Sequence, residues 1–214
     1  MFYKVLIRWF VFGTVLWASV TSAFAETHKE KVLLVVGDSL SAAYNLAEEQ
    51  GWVHLLAERL SSHKNPHFAS YKVVNASAGG ATSAAALQAL PPLLEQYKPS
   101  LVILAMGAND GLQGKPVPYI TNNLRSLIEH SKSAGAEVML TGIRLPPNFG
   151  KRYTEPFFNQ YGQLAKEYQL ALVPFLLEGV AGNNQLMQAD RLHPTAEAQA
   201  IILETVWQTL EGMM

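Results

Sequence analysis

Lys31-Val32-Leu33-Leu34-Val35-Val36-Gly37-Asp38-Ser39-Leu40 is the stretch from which the fold of this chain can be read. Its first six residues are nearly all apolar and rich in β-branched side chains, as in a strand buried on both faces. Gly37-Asp38-Ser39 then breaks the run and sets a hydroxyl three residues past the strand. A strand of that kind belongs to a parallel sheet, and a parallel sheet needs helices over both of its surfaces.

The rest of the 214 residues supplies both. Tyr71–Asn75 reads as a weaker second strand, Leu101–Met106 as a third and Glu137–Thr141 as a fourth. Ala171–Pro174 is a short fifth, expected at an edge because proline cannot donate to a ladder. Helical patterns fall between them. Trp52, Leu55, Leu56 and Leu60 line one face, and Leu124, Leu127 and Ile128 mark another helix over 119–134 that Gly135 stops. Residues 82–97 are rich in alanine and leucine, with Pro91-Pro92 expected to kink the helix or restart it. Further helices are expected over 155–168 and over 195–210, the last with Pro194 preparing its first turn. The alternation predicts one α/β domain, a five-stranded parallel sheet between two helical layers, over residues 26–214.

Residues 1–25 read as a targeting segment and not as part of that domain. Lys4 and Arg8 precede an apolar run from Trp9 to Val20, and Ala23-Phe24-Ala25 offers an A-x-A cleavage site. The run is short for a membrane span of about 20 residues, although an uncleaved anchor is the alternative. Cleavage removes two bases and no acid, leaving 14 Lys and Arg against 17 Asp and Glu, a net charge of −3. That balance offers no footprint for nucleic acid. With no cysteine, the chain has neither a disulfide framework nor a lipid-modified N-terminal cysteine. A soluble periplasmic or secreted product is expected.

In an open parallel sheet, ligands bind beyond the carboxyl ends of the strands. Ser39 lies there after the first strand, Gly79-Gly80 after the second, Asn109-Asp110 after the third, and Asp190 and His193 after the fifth. A serine becomes a nucleophile when an imidazole takes its proton and a carboxylate orients the imidazole. Ser39, His193 and Asp190 fit those roles, with a helix N-terminus after Ser39 expected to favour negative charge. The Ser39 and Gly80 amides and the Asn109 carboxamide are candidate oxyanion donors. Each piece alone has a plainer reading. Asp38 or Ser39 can cap a helix, Asp190 can cap a turn beside a solvated histidine, and the glycines and Asn109-Asp110-Gly111 can be ordinary turns. Their coincidence at one sheet edge favours catalysis.

The blocks Gly37-Asp38-Ser39-Leu40-Ser41, Asn75–Ser83, Gly107-Ala108-Asn109-Asp110 and Asp190-Arg191-Leu192-His193 resemble the four blocks of SGNH (GDSL-type) hydrolases, in order and spacing. Together with Ile143–Tyr153, they look most like the bacterial periplasmic thioesterase I, protease I and lysophospholipase group. The resemblance implies a flavodoxin-like fold, no metal or organic cofactor, and a monomer. It assigns catalysis to Ser39, Asp190 and His193, and the oxyanion hole to Ser39, Gly80 and Asn109. It also implies an acyl ester or thioester substrate of lysophospholipid, acyl-thioester or aryl ester type. Gly79, Ala81 and Ala108 depart from the residues common in that group, which points to altered loop stiffness and substrate preference.

Asp38, Gly111, Leu112, Arg144 and Pro146 are further substrate-binding candidates, with 111–114 a possible mobile flap between two glycines. No histidine pair has ligand spacing, and there is no phosphate-binding or dinucleotide loop. Asn75-Ala76-Ser77 matches a glycosylation sequon, but a glycan beside the oxyanion loop is not expected. An acetyl esterase acting on polysaccharide and a non-catalytic binding protein are the alternatives to an acyl ester hydrolase.

Overall fold

The structure, a computed structural model, describes residues 30–214; the targeting segment read at 1–25 lies outside them. Five strands, β1 (Lys31–Gly37), β2 (Tyr71–Asn75), β3 (Leu101–Ala105), β4 (Glu137–Thr141) and β5 (Ala171–Val173), pair in parallel in the order β2-β1-β3-β4-β5. This is the flavodoxin-like order, in which the chain changes direction across the sheet between β1 and β3. The short β5 is an edge strand, as its proline predicts, and β2 is the other edge, with Lys72 and Asn75 exposed.

Among the described residues seven α-helices flank the sheet: α1 (Trp52–Ser61), α2 (Pro66–Ala69), α3 (Ser83–Tyr97), α4 (Ala108–Leu112), α5 (Val117–Ser133), α6 (Lys151–Tyr168) and α7 (Ala196–Leu210). The crossover from β1 to β2 runs one way along the sheet and those from β3 to β5 run the other. Right-handed crossovers therefore put their helices on opposite faces. α1 packs against β2 and α7, while α3 packs against α5, and α5 against α6. The apolar stripes seen in the sequence are the buried faces: Trp52, Leu56 and Leu60 on α1, and Leu124, Leu127 and Ile128 on α5. Full burial of each such aliphatic side chain is worth roughly 1.5–3 kcal/mol.

Three helices differ in detail from expectation. α3 runs unbroken through Pro91 and Pro92. Both prolines are exposed, so the carbonyls of Leu87 and Gln88, which lose their amide partners, are left on the watered side of the helix. α6 begins at Lys151, four residues early, after Gly150 at φ +79°. Pro194 is outside α7: it bridges to Met187, and Thr195 takes the N-cap position.

The register sets Val36 beside Leu104 and Gly37 beside Ala105. The turns leaving β1 and β3 are thereby held side by side at the switch point.

Candidate active site

No helix follows Ser39. Residues 39–45 form consecutive turns, with the amides of Ser41 and Ala42 both donating to the Asp38 carbonyl at 3.1 and 3.0 Å. Ala43 and Asn45 then adopt φ of +54° and +56°, a left-handed conformation that ends any helical path. The expected helix N-terminus at Ser39 is replaced by a turn pinned from outside. The Trp52 indole donates to the Leu40 carbonyl at 3.2 Å, and the Asn75 carboxamide donates to the Ser41 carbonyl at 2.9 Å. Asn75 also accepts from the Ser77 amide, so both ends of the sequon side chain are engaged within the protein.

Asp38 is not a substrate contact. It is 1% exposed, and one of its oxygens accepts from the Leu40 amide at 3.0 Å. Its other oxygen has no partner among the described residues. Burial pushes this carboxyl up to about 6, against the lowering effects of the Leu40 amide and the His193 charge.

The loop before α7 presents Asp190 and His193. One Asp190 oxygen accepts the amides of Leu192 and His193 at 2.9 and 3.0 Å, and the other lies 2.7 Å from His193 Nδ1. His193 Nε2 is 2.8 Å from Ser39 Oγ, across 154 residues of sequence. With the ring proton on Nδ1, Nε2 is free to accept from the serine. Burial raises the Asp190 carboxyl, but hydrogen bonds from the His193 ring and the two amides outweigh it and bring the carboxyl down to about 2. Asp190 is therefore ionised at neutral pH and keeps the imidazole in that tautomer.

The three candidate oxyanion donors stand on the segments that follow β1, β2 and β3. The amides of Ser39 and Gly80 serve no backbone carbonyl among the described residues. Gly80 is at φ +74°, which an L side chain would strain, and an added Cβ would meet nothing within 4 Å. Asn109 Nδ2 donates to the Ala81 carbonyl at 3.0 Å, which fixes the carboxamide while its second N–H remains available. Asn109 stands on α4, and α4 is anchored from below. Asp110 accepts the Ser83 amide at 2.7 Å and the Ser83 hydroxyl at 2.8 Å, and Asn123 of α5 donates to that hydroxyl.

Of the expected flap at 111–114, the first residue is held in place. Gly111 is buried in α4, and an added Cβ would lie 2.7 Å from both Leu145 and Phe157. Gly111 serves packing and does not reach the cavity. Leu112, Arg144 and Pro146 do line it, a space of about 170 Å³ walled also by Leu40, Ile143, Leu145 and Leu177 and ending at Ser39, Asn109 and His193. The Arg144 guanidinium lies over the Phe158 ring at 3.8 Å. A larger groove between α5 and α6, of about 490 Å³, is lined by none of Ser39, Asp190 and His193. Among the described residues no three metal-ligating side chains gather, and no helix is long and apolar enough to cross a membrane.

The sequence reading missed Gln188, whose side chain ties the histidine loop to the turn after Ser39. It also missed Tyr44, whose ring stacks on His193. No local pattern marks either one, because their partners lie about 150 residues away.

Residues 35–201 match the GDSL-like Lipase/Acylhydrolase family. The chain is 48% identical to Esterase TesA of Pseudomonas aeruginosa over 184 residues, which is 86% of this chain and 90% of that protein. It is 40% identical to Thioesterase 1/protease 1/lysophospholipase L1 of Escherichia coli over 182 residues, 85% of this chain and 84% of that one. The psychrotrophic esterase EstA from Pseudoalteromonas sp., solved inhibited by monoethylphosphonate, aligns with a TM-score of 0.80 at 38% identity, covering 86% of this chain and 98% of its own. With sequence, fold and site geometry in agreement, the chain belongs to the GDSL-like lipase/acylhydrolase family.

Proposed function

We propose that this carboxylic ester hydrolase attacks its substrate through Ser39, with His193 as general base and then general acid and Asp190 as the group that orients it. The observation that carries this reading is the unbroken pair of contacts, 2.7 Å from Asp190 to His193 and 2.8 Å from His193 to Ser39. Ser39 Oγ bonds to the acyl carbon as its proton passes to His193 Nε2, and the carbonyl electrons move onto oxygen. That oxyanion is met by the Ser39 and Gly80 amides and the Asn109 carboxamide. Collapse breaks the bond to the alcohol or thiol, which leaves with the proton from His193. Water then attacks the acyl-serine, His193 takes its proton, and the acid departs as the proton returns to Ser39.

Apolar walls favour an acyl chain longer than acetyl, from an acyl ester or a thioester. The cavity is below the roughly 300 Å³ of ordinary small-molecule sites, so a long chain would seat one end there and lie along the open surface with the rest. The charge pattern and A-x-A site of residues 1–25 support export with cleavage after Ala25, to the periplasm or beyond.

The test is turnover of p-nitrophenyl esters of increasing acyl length by the mature protein and by Ser39→Ala. Expected is hydrolysis that peaks beyond acetyl and falls by at least about 10³-fold in the variant, with loss of labelling by a fluorophosphonate. A folded wild type that neither turns over nor labels would instead support a binding protein.

A further inference from the structure

We propose that Gln188 and Tyr44 form a clasp that sets His193 against Ser39, so that both are positioning residues for the hydrolysis. The inference rests on the acyl-serine reading above and goes one step beyond it. Ser39 and His193 stand on separate loops, and nothing in the sheet register fixes the distance between those loops. Gln188 bridges them. Its Nε2 donates to the Tyr44 carbonyl at 3.0 Å, beyond the nucleophile, and to the Pro194 carbonyl at 2.9 Å, beside the base. Its Oε1 accepts from Asn45 Nδ2 at 3.4 Å. Its own backbone closes the histidine loop, the amide donating to the His193 carbonyl at 2.7 Å and the carbonyl accepting from the Arg191 amide at 2.9 Å. One side chain thus holds residues on both sides of the Ser39–His193 gap, with both carboxamide hydrogens engaged.

Tyr44 completes the clasp. Its ring stacks on the His193 imidazole with centroids 4.2 Å apart and planes 30° from parallel. The residues on either side of it, Ala43 and Asn45, are in left-handed conformations that non-glycine residues keep only where their surroundings hold them. Tyr44 is also 44% exposed, so it is not placed there by the core. A ring in that position limits imidazole rotation. It also presents its negative face to the imidazolium that forms as Ser39 attacks. Gln188 holds the Tyr44 backbone, and Tyr44 holds the ring of His193.

The test is steady-state kinetics on the preferred p-nitrophenyl ester for Gln188→Ala, Gln188→Glu, Tyr44→Leu and Tyr44→Phe, beside Ser39→Ala. Both Gln188 variants are expected to lower kcat between about 10- and 100-fold with KM within about 2-fold of wild type, as displacement of a base by a fraction of its contact distance does. Gln188→Glu does not rescue, because a carboxylate cannot donate to two carbonyls. Tyr44→Leu is expected to lower kcat about 3- to 30-fold, while Tyr44→Phe, which keeps the aromatic face, stays within about 2-fold of wild type. Urea midpoints identify any variant that fails to fold. If Gln188→Ala is such a variant, the Tyr44 pair decides. Unchanged kcat in Tyr44→Leu, a change in KM alone, or equal loss in Tyr44→Leu and Tyr44→Phe overturns the clasp. Turnover that survives Ser39→Ala overturns the acyl-serine reading and the clasp with it. Turnover lost in Ser39→Ala but untouched in the clasp variants overturns the clasp only.

Discussion

Asp38 immediately precedes Ser39, the proposed nucleophile, yet its side chain turns inward to a place with one amide donor and no second partner among the described residues. Its carboxyl is therefore easier to protonate in the folded protein, at about 6, than in the unfolded chain, near 3.8. Between those values the folded state binds more protons than the unfolded one, so Asp38 makes stability fall as pH rises from about 4 to about 6. Asp190 acts in the opposite sense: its carboxyl, lowered to about 2, adds stability above pH 4 that is lost as pH falls toward 2. We expect wild type to lose up to about 3 kcal/mol between pH 4 and pH 8 that Asp38→Asn does not lose. Urea unfolding of both proteins at those two pH values checks it; parallel pH dependence in the two would refute the assignment. At this scale residue type singled out Ser39, Asp190, His193 and Asn109, and the structure brings the first three into hydrogen-bond contact. The sequence was a poor guide to Asp38 and Gly111, because proximity along the chain does not say which way a side chain faces.

Elements are where local pattern and tertiary contact compete. The strands and the buried stripes of α1 and α5 follow from apolar periodicity, since burial rewards the same spacing that the pattern shows. The segment after Ser39 carries alanines and no proline, and nothing local forbids a helix there. It is instead held as turns by groups from α1 and β2, Trp52 on the Leu40 carbonyl and Asn75 on the Ser41 carbonyl. Trp52→Phe would leave the Leu40 carbonyl buried without its donor. The expected cost is about 1–3 kcal/mol of stability, together with a lower kcat as the nucleophile turn loosens. Thermal unfolding and kcat on one ester measure both; a variant that loses neither would show that the turn holds itself. α3 is the converse case. Pro91 and Pro92 argue locally for a break, and the helix continues because its opposite face, Ala86, Leu90 and Leu94, is packed.

At the scale of the whole molecule, parallel topology gathers the segments after β1, β3, β4 and β5 at one edge, and the apolar cavity forms where they meet. Leu177, from the segment after β5, walls that cavity together with Leu40 from the nucleophile turn. Leu177→Phe fills part of it. Expected is a drop in kcat/KM of about 10-fold or more on the acyl length that wild type prefers, with acetyl ester turnover nearly kept, read from the same chain-length series. An unaltered profile would place the acyl chain elsewhere. The sequence by itself determined the parallel α/β layering and singled out Ser39, Asp190 and His193, because burial periodicity and reaction chemistry each leave a local signature. Only the tertiary structure decided that the turn after Ser39 is not a helix, that Gly111 is packed inside α4, and that Gln188 and Tyr44 link that turn to the loop of His193. Those outcomes depend on contacts between residues up to about 150 positions apart, whose free energies no local window of sequence contains.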